Sequence, residues 1–350
     1  MNKEVCFMTP EINTRQKTRH ESLGLSDEQA VDMYRKMRLA RMYDERALLL
    51  QRAGKINFHV SGIGQEAAQI GAAFALDKEK DYFLPYYRDY GFVLSVGMTI
   101  RELMLAIFAR EEDPNSGGRQ LPGHFGCKRL RIVTGSSPVA TQVPHAVGIA
   151  LAAKMRNEGA VSFVTLGDGS SNQGDFHEGC NFAGVHKLPM IVMVENNQYA
   201  ISVPLDKQVA GRISDRALGY GFPGERVDGC DVLEVYRTVK EARERALRGE
   251  GPTLIEAVMY RLTPHSTSDN DMVYRTKEEV DRNWKNDPLP RYKAYLMESD
   301  LWSEEEDAQL SADIKSRLDR EISYAEQAAY PAGEEALRHV YAEEEASTWR

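Results

Sequence analysis

Apolar residues recur at helical spacing from residue 26 to about residue 51, with Val31, Tyr34 and Met37 along one face. Ser26, with Gln29 three positions later, forms a capping box in front of this stretch. Gly54 beyond it can take the left-handed conformation that often closes a helix. Residues 1–25, ahead of the helix, read as a polar arm. The middle of the chain has another texture. Short apolar runs, AVSFVTL at 160–166 and PMIVMV at 189–194, stand on either side of a helix-like stretch at about 172–187. Apolar runs of this length around a helix predict two buried parallel strands. Asp231 with Glu234 opens another capped helix, apolar at Val232, Val235, Val239, Ala242 and Ala246. It stops near Gly249 and leads into the strand-like TLIEAVMYRL. The alternation predicts an α/β fold, a parallel sheet flanked by helices, over residues 26–275. Residues 276–350 turn acidic and helical, and are expected to form a C-terminal helical region packed on the same domain.

Composition removes several classes. The 350 residues are 42% hydrophobic and 28% charged, which is enough apolar material for one large core or two small ones. A formal charge of -9 works against binding a phosphate backbone, so nucleic acid is not an expected partner. There is no run of about 18 apolar residues. The first 25 residues lack the apolar block of a secretion signal. No membrane association and a cytoplasmic location are therefore expected. Cys6, Cys127, Cys180 and Cys230 have neither the paired spacing of a zinc site nor the density of a disulfide framework, and read as free thiols.

Chemistry concentrates where the first central strand ends, at Gly167-Asp168-Gly169-Ser170-Ser171. Small residues let backbone approach a ligand, and a helix N-terminus that follows favours an anion such as a diphosphate. Asp168 would repel that anion unless a divalent cation bridges the two. Alone, the triplet also fits an ordinary strand-to-helix turn with a capping Asp. The second predicted strand ends at Glu195-Asn196-Asn197-Gln198-Tyr199, where an amide oxygen and a backbone carbonyl can complete a hard-cation shell. Neighbouring strand C-termini are where open α/β sheets place their ligands.

GDG, 26 intervening residues (170–195) and then Asn-Asn resemble the signature of thiamine-diphosphate enzymes. The run GDGSSNQGDFHEGCNFAGVHKLPMIVMVENNQYAIS is similar to the alpha subunits of 2-oxo-acid dehydrogenase first components. So are LPYYRDYG (84–91), GSSPVATQ (135–142) and HSTSDNDMVYR (265–275), and the likeness extends over about residues 25–300. The resemblance implies a thiamine-diphosphate-binding fold. In it, Asp168 and Asn197 give side-chain oxygens, and Tyr199 a backbone carbonyl, to Mg2+. It implies that Gly169 and Ser170 hold the diphosphate by backbone contacts, that Tyr87 and Arg88 reach it from another loop, and that Ser137 and Val139 line the aminopyrimidine end. It makes His265 the catalytic residue beside the reacting carbon, and Phe58, Tyr86 and Val139 the substrate pocket. Ser136, Pro138, Thr141 and Gln142 match a monovalent-cation loop, a candidate K+ site whose plainer reading is a hydroxyl-stabilised turn.

The HSTSD loop resembles branched-chain enzymes more than pyruvate enzymes, although Pro264 departs from the histidine often found there in mitochondrial relatives. Glu195 departs as well, standing where those relatives carry an arginine. The expected activity is oxidative decarboxylation of branched-chain 2-oxo acids with acyl transfer to a lipoyl group. Apolar pocket surface favours a branched chain over a methyl by about 1–3 kcal/mol. In the family the glutamate that activates the cofactor comes from a second module, and each module needs about 150–200 residues. A beta subunit in an alpha2beta2 heterotetramer and a lipoylated acyltransferase are thus the expected partners. Rival readings are a pyruvate or acetoin dehydrogenase alpha subunit, a nicotinamide enzyme, disfavoured because no GxGxxG follows an early strand, and a non-catalytic scaffold subunit.

Overall fold

A computed structural model describes residues 18–338. Five strands, β1 (Tyr82–Leu84), β2 (Ser162–Gly167), β3 (Met190–Asn196), β6 (Gly224–Asp228) and β7 (Thr253–Val258), form a parallel sheet in the order β1-β2-β3-β7-β6. A separate two-stranded ribbon, β4 (Tyr199–Ala200) and β5 (Val203–Pro204), follows β3. The two central apolar runs are thus strands β2 and β3, joined through the Gly174–Val185 helix, and TLIEAV is β7. Strands β1 and β6 and the ribbon went unpredicted.

Side chains alternate across a strand, so one sheet feeds two cores. Phe163, Ile191, Met193 and Ile255 face a cluster built from the Asp27–Arg52, Tyr90–Val96, Ile100–Ile107 and Val232–Leu247 helices. Val164, Leu166, Val192, Val194 and Leu254 face the other cluster, under the Gln142–Arg156 and Gly174–Val185 helices. Both predicted caps are present: Ser26 accepts from the Gln29 N–H, and Asp231 from Leu233 and Glu234.

The sheet has short margins. β1 pairs on its outer side only through the Phe83–Ile132 bridge, and β6 shows charged Glu225, Arg226 and Asp228, with Glu225 paired to Arg245. The acidic C-terminal stretch folds back as the Pro288–Glu298 and Glu304–Gln327 helices. Leu289, Tyr292 and Leu296 share a cluster with Ala30, Met33 and Met37 of the long first helix. Arg41 is buried there between Glu66 and Asp287, with Asp287 gripping it in bidentate fashion at 2.8 and 2.9 Å. Residues 1–17 of the expected arm, and Cys6 with them, lie outside the described residues. Arg19–Ser22 is a short helix whose fully buried His20 bonds Tyr295 and Asp27. The other three cysteines are free and buried. Among the described residues no helix is long and apolar enough to cross a membrane.

Candidate cofactor-binding site

Strands β2 and β3 pair from Ser162↔Met190 to Gly167↔Glu195. Asp168 and Asn197 consequently leave the sheet at neighbouring strand ends, and both are buried. The α-helix does not begin directly after the triplet. Gly169–Asn172 is a 3-10 turn, and helix starts only at Gly174. The β4–β5 ribbon lies against that turn so closely that a Cβ on Gly169 would sit 2.5 Å from the Ala200 Cβ, which is the physical reason for glycine here. Gln198 and Ile201, flanking β4, take left-handed backbone (φ 74° and 55°), local strain of the kind that marks constrained sites.

A cavity of about 460 Å³ opens at this edge. It is lined by Phe58, Tyr86, Tyr87, Arg88, Ser136, Ser137, Val139, Gln142, Asp168, Gly169, Ser170, Asn197, Tyr199 and His265, which brings together all but two of the residues singled out from sequence. The two others, Pro138 and Thr141, lie just behind it. The Pro138 carbonyl accepts from Ser136 Oγ (3.1 Å) and Thr141 Oγ1 (3.0 Å), and the two hydroxyls are themselves in contact. Three oxygens therefore converge there, while the Gln142 amide donates away from them, to the Thr165 carbonyl at 3.0 Å. A larger cavity, about 660 Å³, lies beyond Tyr199 and includes Arg226, Asp228, Cys230 and Arg291. It contains none of the other predicted residues, so size does not decide which cavity is chemical.

The donor set fits a hard cation and a polyanion. Burial raises the Asp168 carboxyl above its usual range, and Gln208 Nε2, at 2.6 Å, is its side-chain partner. Asn197 Oδ1 has only a long contact, 3.4 Å from the Tyr199 N–H. Arg88 Nε in the cavity lining, and Gln65 Nε2 and Arg261 Nε behind it, are buried donors without partners among the described residues. Such groups are costly unless a ligand meets them. Among the described residues no group of three His, Cys, Asp or Glu side chains is placed to hold a metal ion, so a cation here would depend on the mixed carboxylate, amide and carbonyl set.

Arg88 organises the His265 end of the cavity. Its Nη1 donates to the Ser61 carbonyl (2.8 Å), and its Nη2 donates to both His265 Nδ1 and the His265 carbonyl at 2.9 Å. The guanidinium lies 5.3 Å from the Tyr87 ring centre. Burial, then the Arg88 and Arg261 charges, push the His265 imidazole down to about 4. It is neutral at neutral pH and, with Nδ1 accepting, carries its proton on Nε2.

Two participants, Arg261 and Gln65, escaped the sequence reading. Arg261, within a stretch that read as apolar strand, is fully buried and donates to the carbonyls of Tyr199 and Ile201. Gln65 bridges the Tyr86 hydroxyl (2.9 Å) and the Asn197 amide (3.4 Å). Glu195, beneath the site, is met by Gln69 and Tyr86. Burial raises it, and burial together with Glu195 raises Asp89 well above the carboxylate range.

An open parallel sheet with a cavity at adjacent strand C-termini is the arrangement in which α/β proteins bind their ligands. Residues 34–334 match the family model described as dehydrogenase E1 component, and the chain belongs to that family, which is thiamine-diphosphate-dependent. A 2-oxoisovalerate dehydrogenase subunit alpha from Bacillus subtilis (strain 168) is 63% identical over 325 residues, 93% of this chain and 98% of that protein. A pyruvate dehydrogenase E1 component subunit alpha from the same organism is 41% identical over 305 residues, 86% of this chain and 79% of that one. Its counterpart in Staphylococcus aureus (strain Mu50 / ATCC 700699) is 41% identical over 301 residues, covering 84% and 78%.

Proposed function

We propose that this chain is the alpha subunit of a decarboxylating enzyme for branched-chain 2-oxo acids and passes the acyl group to a lipoyl carrier. The observation that carries the reading is the pairing of Gly167 with Glu195, which sets Asp168 beside Asn197. The 63% identity to a 2-oxoisovalerate dehydrogenase subunit alpha, against 41% to pyruvate subunits, favours the branched substrate.

In this reading Asp168, Asn197 and the Tyr199 carbonyl would hold Mg2+. Gly169, Ser170, Tyr87 and Arg88 would hold the diphosphate, and Ser137 and Val139 the pyrimidine end. Thiamine diphosphate, when bound, supplies a carbon nucleophile and an electron sink for release of CO2 from a 2-oxo acid. Phe58, Tyr86 and Val139 shape an apolar wall for the branched side chain and exclude water. His265, neutral with a proton on Nε2, is able to donate a hydrogen bond or that proton to an oxygen in the cavity. The Ser136, Pro138 and Thr141 oxygens, with Gln142 next to them, form the K+ candidate.

Among the described residues no glutamate lines the cavity to serve a pyrimidine nitrogen, Glu195 being fully buried beneath it. A beta subunit supplying that carboxylate in an alpha2beta2 assembly, and a lipoylated acyltransferase as acceptor, complete the proposal. Its test is co-expression with a beta-type partner and comparison of kcat/KM for 2-oxoisovalerate, pyruvate and acetoin. The expected result is activity only in the assembly, with a preference for 2-oxoisovalerate of tenfold or more, about the discrimination apolar pockets give. A preference for pyruvate, or full activity of the single chain, overturns it. Calorimetry on Asp168→Ala is expected to show loss of Mg2+-dependent cofactor binding.

A further inference from the structure

Residues 59–62 are irregular backbone buried between the Asp27–Arg52 helix and the His265 loop. Buried backbone outside a helix or sheet must find partners for its N–H and C=O groups, and where it finds them fixes its neighbours. Asp44, on the long helix, brackets this segment. One of its oxygens accepts from His59 Nε2 (2.5 Å) and the other from the Gly62 N–H (2.8 Å). His59 is fully buried, and its ring meets that carboxylate through Nε2. The outward groups of the segment are then spent on the site. The Ser61 carbonyl holds Arg88 Nη1, while the His59 N–H donates to Thr267 Oγ1 (3.1 Å) and the His59 carbonyl accepts from the Thr267 N–H (3.0 Å). The fit is tight: a Cβ on Gly62 would lie 2.7 Å from the Arg88 carbonyl.

Thr267 is two residues from His265. The bonds from the His265 N–H and the Tyr274 hydroxyl to Asp269 tie the loop to itself and would move with it. The Thr267 pair ties the His265 turn to the segment that also carries Arg88's anchor. We propose that Thr267 is a positioning residue for His265: its two-bond clamp on the His59 backbone, fixed in turn by the Asp44–His59 pair, holds the imidazole against Arg88. The inference rests on the role given to His265 above.

The test uses the assembled enzyme with Thr267→Val, which keeps the side-chain shape but removes Oγ1, and Thr267→Ser, which restores an acceptor. The valine variant is expected to lose about tenfold in kcat with KM for the oxo acid within about twofold, the scale of one hydrogen bond, and the serine variant to recover most of it. Two further readouts come from the assembly freed of cofactor. Hydrogen exchange at the imidazole C2 position, followed by mass spectrometry against pH, is expected to show the His265 midpoint moving up from about 4 toward the ordinary histidine range in the valine variant. Amide exchange over residues 265–269 is expected to rise by about tenfold with little change in Tm.

A valine variant with wild-type kcat, His265 midpoint and loop exchange overturns the clamp. So does a loss of kcat that serine fails to recover, or one accompanied by a lower Tm and an unmoved His265, because either marks a merely structural role. If instead His265→Asn is as active as wild type, or the assembly decarboxylates no 2-oxo acid, the reading of the function fails, and the exchange measurements still decide the clamp.

Discussion

Replacing Gly169 by alanine puts one carbon where the structure has no room. The added Cβ would lie 2.5 Å from the Ala200 Cβ, whereas carbon atoms prefer about 3.5–4.0 Å, so turn or ribbon must retreat by about 1 Å. The right-handed 3-10 backbone at Gly169 adds no penalty of its own. Overpacking of this kind costs about 1–3 kcal/mol. The chain relieves it by moving β4 away from Asp168, carrying with it Tyr199, whose carbonyl is a proposed cation ligand. Strain relieved in the free protein must be restored on binding, so Gly169→Ala is expected to weaken Mg2+-dependent thiamine-diphosphate affinity by about 5- to 150-fold. Calorimetric titration of the assembled enzyme measures this directly. The double variant Gly169→Ala with Ala200→Gly removes the opposing carbon and is expected to recover most of the loss. Wild-type affinity in the single variant, or no recovery in the double, refutes the close-approach argument.

Three further outcomes follow from the geometry. The folded-state value of His265, about 4, lies below that of an ordinary histidine, about 6.5. Between those values the unfolded chain binds more protons, so stability rises with pH through this window and is lost as acid is added. Without cofactor, the urea midpoint of wild type is expected to fall more than that of His265→Gln between pH 7 and pH 4.5, and equal falls count against the depressed value. Asp287→Ala strips Arg41 of its bidentate partner and the Leu289 N–H of its cap. Breaking such a buried pair costs about 3–5 kcal/mol, and a urea-unfolding loss below about 1 kcal/mol would contradict it. Phe58→Ala strips away part of the apolar wall and is expected to cut the preference for 2-oxoisovalerate over pyruvate by about 5- to 150-fold; an unchanged kcat/KM ratio removes Phe58 from the specificity pocket.

The features legible in the sequence were those with a strong local cause. The two helix caps, the uninterrupted apolar runs of β2 and β3 and the small residues around Asp168 each follow from contacts within a few residues. β1 is three residues long and β6 is mostly polar, so neither has a pattern to read. The ribbon exists because it packs on the Gly169 turn, a contact across more than thirty positions of sequence that no local window contains. Arg261 was hidden for the opposite reason. Its neighbours are those of a buried strand, and only the folded chain shows that the guanidinium belongs to the site. The helix expected from about residue 172 starts at Gly174, and the Gly169–Asn172 residues between it and β2 tighten into a 3-10 turn that no local pattern announces.

The blunted margins of the sheet bear on how this molecule meets others. One side ends in three residues already bridged to Ile132, and the other displays a row of charges. Neither can serve as a template for an incoming strand. Along the five-stranded sheet, docking of subunits or neighbouring copies is therefore left to helix and loop side chains, where a wrong partner is rejected residue by residue. A freshly made chain waiting for its counterpart is thereby spared the sequence-blind backbone stacking that leads to fibres.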